Sequence, residues 1–152
     1  MAFFKKNKNE TGGLPDNLPG HIAFIMDGNG RWAKKRAMPR RFGHREGAKN
    51  FRRIARYCKD IGIKNISFYA FSTENWKRPK DEVEAIIELF REYIVDVRNY
   101  IGEEVRVLFL GDKSIFDEDL QKKMNDLEED TKDNREMTML PVSYTHLRAH
   151  ET

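Results

Sequence analysis

The sequence alternates short apolar runs with longer segments in which apolar residues recur every three or four positions. Such short runs are typical of strands, and the periodic segments are typical of amphipathic helices. The predicted strands are residues 21–26, 63–71 and 105–110, with a fourth beginning at residues 137–140, and the nearly continuous first run predicts a strand buried on both faces. The resulting β-α-β-α-β-α-β order predicts an α/β fold, with a parallel central sheet and helices on both faces.

Three helices are predicted between these strands, over residues 44–61, 79–101 and near 116–127. Gly62 is placed to end the first helix, and Pro79 is placed to begin the second, with acidic residues near its positive end. The positions expected to face the core are Ala48, Phe51, Ala55, Cys58 and Ile61 in the first helix, Val83, Ile86, Ile87, Phe90, Ile94, Val97 and Ile101 in the second, and Phe116, Leu120, Met124 and Leu127 in the third.

The composition is that of one soluble domain. The chain has 152 residues, 39% hydrophobic and 35% charged, and no apolar run approaches the roughly 20 residues that span a bilayer. Its one cysteine, Cys58, cannot form an internal disulfide and falls on an inward stripe, which favours a small core residue in a reduced, cytosolic setting. Residues 1–19 are polar and rich in Asn, Gly and Pro, so we expect a flexible N-terminal arm.

The sequence Asp-Gly-Asn-Gly-Arg, residues 27–31, follows the first predicted strand. It therefore lies at the carboxyl end of a strand, where ligands bind in such folds. Asp-Gly and Asn-Gly are strong hairpin signals, but the following Arg-Trp-Ala-Lys-Lys-Arg alternates poorly and carries too many cations for a partner strand. A calcium loop would suit Asp27 and Asn29, but it requires Gly and Glu where Trp32 and Met38 stand.

A loop that binds a diphosphate and its metal ion explains these residues better. Gly28 and Gly30 let the backbone approach an anion closely, and Arg31 offers charge-assisted hydrogen bonds to phosphate oxygens. Asp27 would repel a bare phosphate, so we expect its carboxylate and the phosphate oxygens to share a hard cation such as Mg²⁺. The spacing matches neither the Walker loop nor the dinucleotide Gly-x-Gly-x-x-Gly motif.

A block of cations follows this turn. Eleven Arg and Lys residues and a single acid lie between residues 31 and 56, which suggests phosphate, nucleic acid or a membrane surface as the ligand. Arg40 and His44 are four residues apart, so they share one face if the segment is helical, and both can donate hydrogen bonds to phosphate. A solvated basic face is the alternative. A nucleic-acid patch is disfavoured because few aromatic residues are interleaved with these cations.

A second polar cluster, Ser-Thr-Glu-Asn-Trp-Lys-Arg at residues 72–78, follows the second predicted strand. Because ligands bind at the carboxyl ends of parallel strands, we expect this cluster and residues 27–31 to share one cleft. A loop leading into a helix would account for Ser72 and Thr73 alone. Trp76 is either a half-buried packing residue without a role in binding or a contact for a hydrophobic substrate beside the phosphate site.

Three segments together resemble the cis-prenyltransferases, and most closely the bacterial undecaprenyl diphosphate synthases, also called isoprenyl transferases. They are His-Ile-Ala-Phe-Ile-Met-Asp-Gly-Asn-Gly-Arg-Trp-Ala from His21, Arg-Phe-Gly-His-Arg-Glu-Gly from Arg41, and Tyr-Ala-Phe-Ser-Thr-Glu-Asn-Trp-Lys-Arg-Pro from Tyr69. The resemblance covers about residues 18–140.

The resemblance implies a Mg²⁺-dependent transferase that condenses isopentenyl diphosphate with an allylic diphosphate, usually farnesyl diphosphate. The product would be a cis-polyprenyl diphosphate, the lipid carrier for bacterial cell-wall synthesis. It further implies a cytoplasmic homodimer that makes transient contact with the inner face of the membrane during product release, with no nucleic-acid partner. The growing chain would occupy an apolar tunnel between the helices at residues 44–61 and 79–101.

The resemblance also implies site residues. Asp27 corresponds to the catalytic aspartate that holds Mg²⁺, and Asn75 to a position assigned as proton acceptor. Because a neutral amide is a very weak base, we expect Asn75 to orient the diphosphate or the isopentenyl group, with a diphosphate oxygen as an alternative proton acceptor. The substrate-binding positions are Gly28, Asn29, Gly30, Arg31, Trp32, Arg40, His44, Ser72, Thr73, Glu74, Trp76 and Arg78.

The chain departs from the family pattern near its C-terminus. Residues 20–140 resemble part of the catalytic domain, whereas residues 141–152 have no family counterpart, and Pro141 opposes a central strand at that point. The family's Arg-rich isopentenyl diphosphate segment and a metal-holding Glu are missing from the sequence. We therefore expect a C-terminally truncated domain with an incomplete sheet and an exposed edge, a foreign tail, and little or no activity of this chain alone.

Other functional classes stay open on the sequence alone. They are a nucleic-acid-binding module built on the basic block, another phosphate-handling α/β enzyme such as a phosphatase, and a non-catalytic partner subunit. The intact motifs around Asp27 and Asn75 weigh against the last of these.

Overall fold

The computed structural model describes residues 17–101 and 104–143, without the side chains of Thr73, Glu74, Asp96, Arg98, Tyr100 and Ile101. Most of the predicted N-terminal arm and of the tail at residues 141–152 therefore lies outside the described residues. The elements are β1 His21–Phe24, α1 Asn29–Lys34, α2 Arg40–Asp60, β2 Asn65–Phe71, α3 Lys80–Ile101, β3 Val105–Val107, β4 Leu110–Gly111, α4 Glu118–Thr131 and β5 Met137–Ser143, with single 3-10 turns at Thr73–Lys77 and Lys113–Ile115.

The strands form one parallel sheet in the order β1-β2-β5-β3, with β4 also paired to β5. This arrangement confirms the predicted α/β fold. Ile66 on β2 is in register with Ile22 on β1 and with Met139 on β5. Helices α2 and α3 pack through aromatic contacts on the face of the sheet that carries Phe68 of β2. The Phe68 ring centroid lies 4.1 Å from that of Phe51 on α2 and 5.6 Å from that of Tyr93 on α3.

The helical periodicity predicted the buried faces well. Every predicted core position of α4 is buried, as are Phe51, Ala55 and Cys58 on α2 and most of the predicted stripe on α3. Gly62 follows α2 with φ of +91°, a conformation that glycine adopts without strain, so its predicted role as the helix stop is confirmed. None of the described helices has the length and apolar content needed to cross a membrane.

Two strand predictions were wrong. β1 ends at Phe24 and lies at an edge of the sheet, where its residues are alternately exposed and half-buried rather than buried on both faces. Pro141 lies within β5, which pairs with strands on both sides. The missing N–H of Pro141 is tolerated because the neighbouring ladder is interrupted at this point. β3 pairs up to Met139, and β4 resumes the pairing at Val142.

Candidate active site

The Asp-Gly-Asn-Gly-Arg segment connects β1 to α1. We predicted a loop throughout, but the structure places residues 29–31 in the first turn of α1, which corrects that expectation. Gly28 precedes the helix with φ of +86°, and its carbonyl accepts a 2.8 Å hydrogen bond from the Trp32 amide. The left-handed backbone of Gly28 therefore turns the chain from β1 directly into a helix, which excludes the hairpin alternative.

Asp27 is an exposed, ionised carboxylate at the start of this turn. Its Oδ1 accepts a 2.5 Å hydrogen bond from the Gly28 amide, and its Oδ2 accepts a 2.7 Å bond from the Arg31 guanidinium. The hydrogen bond from the Gly28 amide holds the pKa of Asp27 below its usual range, and the contact with Arg31 is the second cause. Both side chains are about three-quarters exposed, at 74% and 73%, so the carboxylate is accessible to a cation.

The second motif begins where β2 ends. Asn75 Oδ1 accepts hydrogen bonds from the Ser72 amide, at 2.7 Å, and from the Ser72 hydroxyl, at 3.0 Å. Two donors therefore occupy the amide oxygen of Asn75, and its NH₂ group is left as the part that can donate to a ligand. This arrangement favours an orienting role over proton abstraction. The side chains predicted at Thr73 and Glu74 lie outside the described residues.

Two arginines and a histidine converge on Glu82, in the first turn of α3. Its Oε1 accepts hydrogen bonds from Arg78, at 2.5 Å, and from His44 Nε2, at 3.0 Å, and its Oε2 lies 3.6 Å from Arg40. The Glu82 side chain is only 4% exposed. Burial alone would raise the pKa of Glu82, but the bonds from His44 and Arg78 and the charge of Arg40 outweigh it and lower that pKa.

Two adjoining cavities lie among these groups. The smaller, of about 100 Å³, is polar and is lined by the turn after β1 and by the side chains that contact Glu82: Met26, Asp27, Gly28, Asn29, Gly30, Arg31, Arg40, His44 and Arg78. Three arginines face one carboxylate in that lining, so the cavity suits an anion. The larger, of about 410 Å³, shares five of those residues (Met26, Asp27, Asn29, His44 and Arg78) and continues between α2 and α3.

The larger cavity is mostly apolar away from the shared wall. Ala48 and Phe51 of α2 face Ile86, Phe90 and Tyr93 of α3 across it. The predicted apolar space between these helices is therefore present. Ser72 and Asn75 also line this cavity beside Asp27, so the two motifs share one cleft, as predicted from the ends of β1 and β2.

The two tryptophans that were predicted to bind substrate, Trp32 and Trp76, lie apart from these cavities. Trp32 is 38% exposed and stacks under the guanidinium of Arg36, 4.2 Å from the ring centroid, on the outer surface of α1. Trp76 is 43% exposed and packs edge-on against Phe71, at a centroid distance of 5.1 Å. Neither is among the residues that line either cavity.

Sequence reasoning missed three residues that build the site. Gly43 and Gly47 let α2 approach α1 closely, since a Cβ at Gly47 would lie 2.3 Å from the amide nitrogen of the Asn29 side chain. The available signal was their four-residue spacing, with Gly47 on the predicted helix of residues 44–61 and Gly43 directly before it. Glu82 was predicted only as an acid near the positive end of a helix, and nothing local in the sequence shows its contacts with Arg40 and His44.

The donor set fits a metal ion that is shared with a ligand. Among the residues that the structure describes, no group of three or more His, Cys, Asp or Glu side chains is placed to hold a metal ion. Mg²⁺ is commonly held by one or two carboxylates together with substrate phosphates and water. The single accessible carboxylate of Asp27, on the wall of an anion-sized cavity, meets that requirement.

Comparison with known proteins identifies relatives over most of the chain. Residues 25–148 match the family model described as "Putative undecaprenyl diphosphate synthase". An isoprenyl transferase from Fusobacterium nucleatum is 51% identical over 127 residues, which cover 83% of this chain and 55% of that relative. A ditrans,polycis-undecaprenyl-diphosphate synthase from Pasteurella multocida, described as (2E,6E)-farnesyl-diphosphate specific, is 41% identical over 126 residues, covering 82% of this chain and 52% of that relative.

Solved structures show the same fold. Lavandulyl diphosphate synthase from Lavandula x intermedia, in complex with dimethylallyl diphosphate, superposes with a TM-score of 0.75 at 28% identity, over 83% of this chain and 54% of that one. A probable undecaprenyl diphosphate synthase from Campylobacter jejuni gives a TM-score of 0.64 at 30% identity, over 84% and 55% of the two chains. The chain thus spans about half the length of the curated relatives it matches.

Proposed function

The chain belongs to the undecaprenyl diphosphate synthase family, and from that membership we propose that it binds an allylic diphosphate for condensation with isopentenyl diphosphate into a cis-polyprenyl diphosphate, a reaction in which we expect little or no activity from this chain alone. The observation that carries the proposal is the pair of adjoining cavities, one small and cationic, the other larger and apolar. An allylic diphosphate has this same division into a charged head and a hydrocarbon tail. Farnesyl diphosphate is the proposed substrate, because one relative is described as specific for it.

In this proposal the cations of the smaller cavity stabilise the leaving group. Arg31, Arg40, Arg78 and His44 line the cavity and can donate hydrogen bonds to diphosphate oxygens. As the carbon–oxygen bond of the allylic diphosphate breaks, negative charge builds on the diphosphate and positive charge on the allylic carbon. Arginines that are already in place stabilise the first of these charges. The isopentenyl double bond then attacks the allylic carbon, and transfer of a proton from the resulting cation to an oxygen of the released diphosphate completes the new unit.

Asp27 is the proposed protein ligand for Mg²⁺, which would supply further positive charge at the diphosphate. Support comes from its exposure, its lowered pKa and its place on the wall of the cationic cavity. Asn75 is proposed to orient the substrate through its NH₂ group, since its oxygen is engaged by Ser72. The apolar residues of α2 and α3 would hold the hydrocarbon chain and exclude water from the reacting carbon.

Calorimetry with three ligands tests the binding proposal. We expect farnesyl diphosphate with Mg²⁺ to bind more tightly than either farnesol or inorganic diphosphate, because only the whole substrate fills both cavities. Equal affinity for farnesyl diphosphate and inorganic diphosphate would remove the apolar cavity from the proposal. Tight binding of RNA with a steep dependence on salt, and no response to farnesyl diphosphate, would support a nucleic-acid-binding module instead.

An elongation assay tests the reaction separately. The chain is incubated with Mg²⁺, farnesyl diphosphate and labelled isopentenyl diphosphate, and products are separated by chain length. Labelled polyprenyl diphosphates would support condensation by this chain. Binding without elongation would agree with the expectation of little or no activity from this chain alone, and a non-catalytic partner subunit would give the same result. Release of inorganic phosphate without new carbon–carbon bonds would indicate a phosphatase.

We also propose that the product serves as the lipid carrier for cell-wall synthesis, and that the protein is a cytoplasmic homodimer touching the inner face of the membrane. The support is the family resemblance, together with the exposed cations of residues 31–56, which would be attracted to anionic lipid. Sedimentation equilibrium tests the dimer, and flotation with anionic and neutral vesicles tests the membrane contact.

A further inference from the structure

Glu82 contacts three of the hydrogen-bond donors that face the smaller cavity. It lies in the first turn of α3, yet its partners come from two other segments: Arg40 and His44 from α2, and Arg78 from the residues after β2. All three partners line the cavity, whereas Glu82 is not among the lining residues. A bound anion would therefore touch these three side chains while Glu82 contacts them from the side away from the cavity.

The ordinary explanation for an acid here is stabilisation of the helix N-terminus. Acidic residues are favoured in the first turn of any helix, and Asp81 is a second example in α3. That effect requires no burial, and both Asp81 and Glu84 are exposed. Glu82 is buried and makes contacts at 2.5, 3.0 and 3.6 Å with Arg78, His44 and Arg40. Burying a carboxylate is costly, so the explanation must involve those partners.

We propose that Glu82 is a positioning residue that fixes Arg40, His44 and Arg78 in the orientation that binds the diphosphate group. The inference rests on the proposed function, because it takes the anion to be the head of an allylic diphosphate. The guanidinium groups of Arg40 and Arg78 both contact Glu82 and repel one another, and arginine side chains have many rotamers. A shared carboxylate offsets the repulsion and restricts those rotamers before the ligand arrives, so less ordering is required on binding.

The Glu82→Gln variant tests this inference because the two explanations predict opposite signs. A simple charge effect predicts tighter binding of inorganic diphosphate, since one negative charge near the site is lost. The positioning role predicts weaker binding by roughly tenfold to a hundredfold, the range expected for lost hydrogen bonds to charged groups. Glu84→Gln is the matched control. It removes the same charge two residues further along α3, from a side chain that is 66% exposed and lies 3.7 Å from Lys80, and it should leave the affinity unchanged.

Folding is checked independently of the anion site. Farnesol affinity reports on the apolar cavity, and Glu82→Asp keeps the charge while shortening its reach, so it should bind inorganic diphosphate with an affinity between those of wild type and Glu82→Gln. A Glu82→Gln variant that loses farnesol binding as well, together with a Glu82→Asp variant of wild-type diphosphate affinity, would overturn the positioning role in favour of a structural one.

The wild-type protein separates the two proposals. If it binds farnesyl diphosphate no more tightly than inorganic diphosphate, the proposed function fails. The comparison of Glu82→Gln with wild type then still tests whether Glu82 positions the anion site. If wild type binds neither ligand, both proposals are overturned. Unchanged or tighter binding of inorganic diphosphate by Glu82→Gln overturns the positioning role alone.

Discussion

Gly43 on α2 lies directly against the backbone of Asn29 on α1. A Cβ atom at Gly43 would come within 1.9 Å of the Asn29 carbonyl oxygen, and within 3.1 Å of the Ala33 side chain. The first of these distances is far inside van der Waals contact and involves backbone, which cannot swing away as a flexible side chain can. The close approach of the two helices places Asn29 on the wall that both cavities share.

Gly43→Ala is therefore expected to separate α1 from α2 and to displace the turn after β1. Overpacking of this kind costs about 1–3 kcal/mol of folding free energy, and we expect the affinity for inorganic diphosphate to fall together with it. Urea unfolding gives the first quantity, and calorimetry gives the second. Gly20→Ala is the control, since a Cβ there would meet nothing within 4 Å. A Gly43→Ala variant with wild-type stability and affinity would contradict the close-packing account.

The sequence predicted most elements because each is specified locally. The spacing of Phe51, Ala55 and Cys58 identifies the buried face of α2 without reference to the rest of the chain. Strand order depends instead on pairing between distant segments. The edge position of β1 and the central position of Pro141 could therefore not be predicted, and the likeness that we took to end at residue 140 extends to residue 148 in the family match. The foreign origin of residues 141–152 stays a prediction.

The site residues also divide into those with a local sequence signal and those without one. Motif residues such as Asp27 and Asn75 were identified because their neighbours in sequence form a recognisable chemical pattern. Glu82 was not, because its contact with His44 joins residues 38 positions apart, and its immediate neighbours are those of an ordinary helix start. The structure also places Trp32 on an outer surface, a location that its position beside the motif did not reveal.

Substitutions at Asn75 should separate its structural and binding roles. Asn75→Ala removes the acceptor for the Ser72 amide and hydroxyl, which costs about 1–3 kcal/mol if the amide is left unsatisfied. Asn75→Asp keeps that acceptor and should retain the stability, but it replaces the NH₂ donor with a negative charge and should weaken binding of farnesyl diphosphate at least about tenfold. Thermal unfolding and calorimetry measure the two effects. Wild-type affinity in Asn75→Asp would refute the donor role.

Filling the apolar cavity should affect the hydrocarbon chain alone. Ala48 is half-buried on α2 and lines the cavity of about 410 Å³, but it is not among the residues that line the smaller one. We expect Ala48→Phe to occupy part of the larger cavity, to weaken binding of farnesyl diphosphate about tenfold or more, and to leave inorganic diphosphate affinity unchanged. Calorimetry with both ligands measures the difference. Equal losses for the two ligands would mean that the substitution disturbs the whole site.

Asp117 should make a measurable contribution to acid stability. Its carboxylate caps α4 by accepting from the Leu120 amide at 3.0 Å and also pairs with Arg91. The contact with Arg91 holds the pKa of Asp117 below its usual range, and the hydrogen bond from the Leu120 amide is the second cause. A lowered folded-state pKa stabilises the protein above the unfolded-state value of about 3.9, and that contribution is lost as the pH falls through the folded-state pKa.

Asp117→Asn should keep the cap but remove the ion pair, so stability should fall less steeply below about pH 4 than in wild type. Asp117→Ala should lose the cap as well, at a further cost of about 1 kcal/mol. Urea unfolding across a series of pH values checks both expectations. Parallel pH profiles for Asp117→Asn and wild type would show that the Arg91 pair contributes nothing to acid stability, as is common for exposed pairs.

The role proposed for Asp27 can be tested through the metal dependence of binding. Asp27→Asn removes the charge that would hold Mg²⁺, and it also frees Arg31 from its 2.7 Å ion pair. Without metal, we expect this variant to bind inorganic diphosphate as well as wild type or better, because a repulsive carboxylate is gone. With Mg²⁺, wild type should gain affinity and the variant should gain little, since the ion needs a protein carboxylate as well as diphosphate oxygens. Calorimetry in EDTA and in Mg²⁺ gives the four affinities, and an equal Mg²⁺ effect in the two proteins would remove Asp27 from the metal site.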